Sequence, residues 1–166
     1  AVAAGLCPLA LGTQTVGSTI RPAAFCGVVG YKPTLGRIPT DGLITFSETV
    51  DHVGVFTQDV AGARLADSVL CDDWTPVDRD SRPVLGVPEG PYLDSAEDIG
   101  RSMFEDQVDR LDAAGYEVEA VPLFDEFEAM SDRHDGLIAA EFALVHHEWF
   151  QAYGDRYEQK TADLVE

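Results

Sequence analysis

Hydrophobic and polar residues follow several distinct rhythms along this chain, and each rhythm predicts an element. Residues 1–11 are small, apolar and uncharged, as a buried helix end or strand would be. From 12 to 42 the periodicity fades, and Gly, Pro and Thr take over. That stretch predicts a folded loop region with short strands at Val28-Val29 and Gly42-Leu43-Ile44. Val53-Gly54-Val55-Phe56 predicts a further short apolar strand. Thr57 stands where an N-cap belongs, ahead of Val60, Ala61, Leu65, Val69 and Leu70 at helical spacing.

The second half is more regular. Residues 72–82 are polar and carry prolines, which predicts a surface connection. Val84-Leu85-Gly86-Val87 then predicts a short buried strand. Ser95 with Asp98 three residues on resembles a capping box, and Ile99, Met103, Val108 and Leu111 share one helical face. Gly115 ends that helix, and Tyr116 to Val121 alternates as a strand does. A strand, a helix and a second strand predict a right-handed parallel crossover. A last helix is expected from about Asp135 to Tyr153, with Leu137, Ile138, Phe142, Val145 and Trp149 on its apolar side. There is no internal repeat, and the class is α/β.

At 166 residues the chain suffices for one domain with a sizeable core. It starts at Ala1 inside an apolar stretch, without the layout of a signal peptide, and so reads as a piece of a longer protein. No apolar run approaches the roughly 20 residues of a membrane helix, so a soluble, cytoplasmic protein away from membranes is expected. The net charge of −19 is unevenly placed. Residues 1–40 contain no acid and carry Arg21, Lys32 and Arg37; all 30 acidic residues lie beyond them. A buried or active-site segment joined to solvated outer elements accounts for this division. So acidic a chain lacks the basic footprint that nucleic-acid binding requires. Many Asp and few Lys fit either a salt-adapted organism or ordinary acidic solubility. Cys7, Cys26 and Cys71 form no CxxC pair and are expected to be buried free thiols.

One run is not explained by packing: Gly12-Thr13-Gln14-Thr15-Val16-Gly17-Ser18. Ser18 ends a string of small and modest side chains among backbone N–H groups left uncovered. That setting suits a nucleophile beside an oxyanion site, although a lone Gly-Ser more often only makes a turn. His146-His147-Glu148 places neighbours about 100° apart on a helix, without His-Glu-x-x-His spacing, and reads as a solvated face. Asp125, Glu126 and Glu128 read as a solvated loop. No metal or cofactor is expected.

The text around Ser18 resembles the amidase signature family. Leu11 to Ser18 is similar to its G-T-[DQ]-T-G-G-S motif, and Ile20-Arg21-Pro22-Ala23 through Phe25-Cys26-Gly27 to Lys32-Pro33-Thr34 continues it. Leu35 to Leu43 and Asp51-His52-Val53-Gly54-Val55-Phe56-Thr57 extend the likeness, whose weight rests on residues 11–57. The resemblance implies an α/β/α fold with a central mixed sheet covered by helices. Residues 1–166 would then be an internal fragment of a single amidase domain, with a signature core at 1–57 and the helices and β-α-β unit at 58–166.

It also implies a triad of a serine, a bridging serine with a cis peptide bond, and a lysine. Ser18 matches the nucleophile, and the N–H groups of Thr15, Val16, Gly17 and Ser18 match the oxyanion loop. The other two triad members would lie upstream of Ala1; Lys32 matches a structural position. His52 matches a segment without a proton-transfer role and is read as structural. Gln14 and Arg21 are candidate supports of the site, Arg21 more as a structural ion pair or loop hydrogen bond than as a substrate contact. Gln14 stands where Asp is common. Val16 stands where the family has a glycine, and a positive φ there would strain it. The function implied is hydrolysis of a small carboxamide through acyl-Ser18, by a full-length protein rather than this piece alone. The alternatives are the ammonia-releasing component of a tRNA-dependent amidotransferase, which needs a partner subunit, and an inactive member with a binding role. A homodimer is left open.

Overall fold

The computed structural model describes residues 1–77 and 81–166, so residues 78–80 of the expected surface connection lie outside the described residues. The elements run β1 (Leu9–Gln14), α1 (Ile20–Cys26), β2 (Val29–Tyr31), β3 (His52–Thr57), α2 (Val60–Leu70), β4 (Leu85–Glu89), α3 (Pro91–Asp94), α4 (Asp98–Ala113), β5 (Val118–Pro122), α5 (Phe127–Tyr153) and α6 (Gln159–Ala162). Two compact units share the chain. The first holds Ala1–Pro76 with Leu137–Glu166, and the second holds Val77–Gly136. No helix among the described residues is long and apolar enough to cross a membrane.

In the first unit β3 lies between β1 and β2, antiparallel to both. The register pairs Leu9 with Thr57 and Gln14 with His52, and on the other side Val29 with Thr57. Val53 and Val55 of β3 are buried, and Val53 joins Ile38 and Cys71 in a small core flanked by Leu70 and Trp74. Asp59 caps α2, its Oδ1 accepting the Gly62 N–H at 2.7 Å. This corrects the expectation for Thr57, which ends β3 and donates its hydroxyl to the Asp59 carbonyl at 2.8 Å. Gly42-Leu43-Ile44 is not a strand; Gly42 has φ +84° and sits in a turn.

Helix α1 falls inside the stretch read as loop and short strands. Three local signals support it. Pro22 occupies its first turn, where a missing N–H costs little, and Gly27 ends it in the left-handed conformation. The third is packing: α1 lies against β2 where side chains are absent. A Cβ on Gly30 would stand 2.5 Å from Ala23 Cβ and 3.0 Å from the Thr19 carbonyl oxygen. A Cβ on Gly54 would stand 2.7 Å from the Tyr31 carbonyl oxygen and 3.0 Å from the Thr19 side chain. Thr19, fully buried, fills the space those two glycines leave.

The second unit contains the expected crossover. β4 and β5 pair in parallel, Leu85 with Val118 through Glu89 with Pro122, with α4 between them in sequence. The capping box does not form. Glu97 precedes α4 without a side-chain cap, and Ser95 instead donates to the Tyr92 carbonyl at the end of α3. Of the expected apolar stripe of α4, Val108 is half-buried while Ile99, Met103 and Leu111 are exposed. Tyr92 packs edge-on against Phe124 and Phe127, ring centroids 5.8 and 5.5 Å away, and Phe124 adopts φ +61°. Helix α5 starts eight residues earlier than expected, so Glu128 lies in its first turn. The α/β class is as the sequence predicts, with the strands in a three-stranded antiparallel sheet and a two-stranded parallel one.

Candidate functional site

The Ser18 loop is the connection from β1 to α1. β1 ends at Gln14, α1 begins at Ile20, and residues 15–19 bend between them. Gln14 is buried, and its side-chain carbonyl oxygen accepts the N–H of Thr19 at 2.9 Å and of Ile20 at 3.0 Å. The last residue of the strand thus caps the helix and fixes the far end of the loop. The Arg21 N–H donates to the Gly17 carbonyl at 2.9 Å. Ser18 is exposed at the start of α1. Among the described residues, the N–H groups of Val16, Gly17 and Ser18 donate to no protein acceptor.

The near end of the loop is held by a residue from the other side of the sheet. The Thr15 hydroxyl donates to Asp51 Oδ1 at 2.6 Å. Asp51 is buried, and its Oδ2 accepts the N–H of Phe46 at 2.6 Å and of Ser47 at 3.2 Å. Ser47, fully buried, donates its hydroxyl to Glu141 Oε2 on α5. Thr49 binds the same carboxylate through its N–H (3.1 Å) and its hydroxyl (2.8 Å). These hydrogen bonds, the Ser47 hydroxyl first, hold the Glu141 carboxyl below its ordinary range. Sequence reasoning does not find Ser47, Thr49 and Glu141 as supports of this loop. Residues 92–94 positions apart carry no local signal of meeting.

Other sequence expectations resolve individually. Val16 is exposed and has no positive φ, so the strain anticipated there is absent. Arg21 is exposed, and no ion pair among the described residues includes it, which corrects its reading as a structural ion pair. Lys32 donates to the Pro33 carbonyl at 2.6 Å, a local structural contact. His52 Nδ1 lies 2.6 Å from the Val50 carbonyl oxygen.

His146 is not on a solvated face. It stacks on Phe142 with ring centroids 4.1 Å apart and bonds the Tyr157 hydroxyl through Nδ1 at 2.8 Å, and burial lowers its pKa. His147 and Glu148 are exposed, and no metal-holding cluster occurs among the described residues. Of the cysteines only Cys71 is buried. It donates to Asp67 Oδ1 at 2.8 Å, and burial pushes its thiol pKa up; Cys7 is half-buried and Cys26 exposed. A cavity of about 440 Å³ beside β1 is lined by Leu11, Thr13, Ile38, Leu43, Val53 and Leu70 among others, and by no residue of 15–18.

Comparison with known proteins agrees with the motif around this loop. The amidase family model matches residues 1–162. The amidase component of the glutamyl-tRNA(Gln) amidotransferase of Salinibacter ruber is 41% identical over 140 residues, covering 74% of this chain and 27% of that protein. The crystal structure of an amidase superposes with a TM-score of 0.88 at 30% identity, covering 99% of this chain and 37% of that one. A peptide amidase in complex with the competitive inhibitor chymostatin gives a TM-score of 0.70 at 26% identity, covering 92% of this chain and 35% of that one. The chain therefore spans between a quarter and two fifths of the length of these relatives. With a family match over nearly every residue and the Ser18 loop within it, this chain belongs to the amidase family.

Proposed function

We propose that this chain is the nucleophile-bearing part of an amide hydrolase that acts through an acyl-Ser18 intermediate. The observation that carries the reading is Ser18 itself. It is exposed at the end of a loop whose N–H groups are uncommitted, in a chain of the amidase family. Ser18 Oγ attacks the carbonyl carbon of a carboxamide, and its proton passes to a bridging serine, whose own proton goes to a neutral lysine. Both partners are supplied by sequence outside these 166 residues. The oxyanion is met by N–H groups of residues 15–18, where one donor is worth on the order of 3 kcal/mol. Collapse of the intermediate breaks the C–N bond and sends the lysine's proton to the departing ammonia or amine. Water then hydrolyses the ester and restores Ser18. The lysine works only where its surroundings depress its pKa.

Two side chains support the loop in this scheme. Gln14 holds its helical end, and Arg21, exposed and without an ion-pair partner among the described residues, is available to a substrate. The test uses the complete polypeptide. Ser18→Ala should abolish ammonia release from amides and trapping of an acyl-enzyme, while Ser18→Ala turnover equal to the parent refutes the assignment. The 166-residue piece alone should show no turnover.

A second reading is favoured by the curated relatives, which are components of glutamyl-tRNA(Gln) amidotransferases. Here the same acyl-serine chemistry releases ammonia from glutamine for a partner protein. Copurification of a partner, with glutamine hydrolysis dependent on charged tRNA, selects this reading; partner-free turnover of simple amides selects the first. The inactive-member reading loses its main clue, since Val16 carries no backbone strain.

A further inference from the structure

We infer that Asp51 is a positioning residue for the oxyanion loop and acts through the Thr15 hydroxyl; this rests on the acyl-Ser18 reading above. The antiparallel register makes the placement. Gln14 pairs with His52, so the next residue on each strand, Thr15 after β1 and Asp51 before β3, emerges at the same end of the sheet. There Thr15 and Asp51 meet at 2.6 Å. Residues 14 and 15 then clamp the loop in two different ways. Gln14 ties down Thr19 and Ile20 beyond the nucleophile, and Thr15 is tied to Asp51 ahead of it. Without the second tether, three uncommitted N–H groups would hang from one fixed end.

The tether is anchored well beyond itself. Asp51 is buried with both carboxylate oxygens occupied: Oδ1 by Thr15, Oδ2 by the N–H groups of Phe46 and Ser47. The segment that supplies those N–H groups is closed by the Val50 and Asp51 N–H groups donating to the Ser47 carbonyl at 3.3 and 2.9 Å. It is fastened to α5 through Glu141, which takes the Ser47 hydroxyl and both Thr49 donors. Three separate elements thus converge on one hydroxyl of the loop. An oxyanion site depends on donors held in place before the charge develops. A displacement of about 1 Å costs on the order of 10²-fold in rate. Charge-assisted bonds to a buried carboxylate supply that rigidity.

The experiment measures amide hydrolysis by the complete polypeptide in Asp51→Asn, Thr15→Val and the double variant, with melting temperatures alongside. Each single variant should lower kcat by roughly 10- to 100-fold with KM within about twofold of the parent. The double variant should lose no more than the worse single, because both changes cut one tether. Parental kcat in a folded Thr15→Val protein overturns the inference, as does a loss confined to KM or independent, multiplicative losses in the double variant. Should Asp51→Asn fail to fold, Thr15→Val decides alone, since it leaves the Phe46 and Ser47 bonds intact. Ser18→Ala run in parallel separates the two levels: an active Ser18→Ala sinks the underlying reading, whereas an inactive one beside a fully active Thr15→Val sinks only the tether.

Discussion

The position of Ser18 is set by atoms that two of its neighbours in space lack. Thr19 has no exposed surface, because Gly30 and Gly54 leave it a socket on the face of β2 and β3. Gly30→Ala would drive a methyl group to 2.5 Å from Ala23 Cβ and against the Thr19 carbonyl, neither of which can swing aside. Overpacking of this kind costs about 1–3 kcal/mol. Denaturant melts should register that loss, and residual activity should fall further than stability alone accounts for; an unchanged melt would refute the socket. The serine and its bare loop are readable in the sequence, since Gly17-Ser18 sits in a motif with an identifiable chemistry. The socket is not, because the closeness of Gly30, Gly54 and Thr19 exists only once the sheet has formed. Val16 carries the opposite lesson: a side chain at a glycine position of the motif is exposed, with an ordinary backbone.

Among the elements, helices are harder to read than strands. β3 and the β4–α4–β5 crossover follow from apolar alternation and helical spacing, so they are visible. α1 is hidden by its Gly-, Pro- and Thr-rich surroundings, and its cap comes from a glutamine on the preceding strand rather than from its own first residue. The start of α5 is obscured because its first turns lack an apolar stripe. Its later turns carry Phe142, His146 and Trp149, which cluster with Tyr157 at ring-centroid distances of 4.1 to 5.7 Å from His146. His146 in that cluster binds protons less readily than an unfolded histidine, whose pKa is about 6.5. The unfolded chain therefore takes up more protons as pH falls through that value, and stability contributed by the neutral ring is lost on acidification. Melting temperature should decline from pH 7 to pH 5, and His146→Phe should flatten that slope. A slope of equal steepness in the variant would exclude His146 as its origin.

At the scale of the whole molecule, the chain is an acid-free signature segment followed by strongly acidic elements, and the structure puts the segment to use as sheet and loop. Leu9 and Leu11 of β1 are exposed at an outer strand of the sheet, and so are Leu65 and Val69 of α2. The division into two units is not legible in the sequence, because the first unit is built from both ends of the chain. A consequence of the β1–β3 register concerns folding order. The Thr15–Asp51 contact spans 36 residues, and closing a loop of that size costs about 3 kcal/mol in chain entropy before any constant term. Such a contact cannot form early from local preference; it waits for β3 to dock. Amide exchange at Thr19 and Ile20 should therefore carry the same opening free energy as the β3 amides, measured by native-state hydrogen exchange across a denaturant series. Faster exchange at those two sites, through an opening that leaves β3 protected, would contradict this order. The serine then acquires its surroundings in the same cooperative step that completes the sheet, so a half-folded chain has no half-built site.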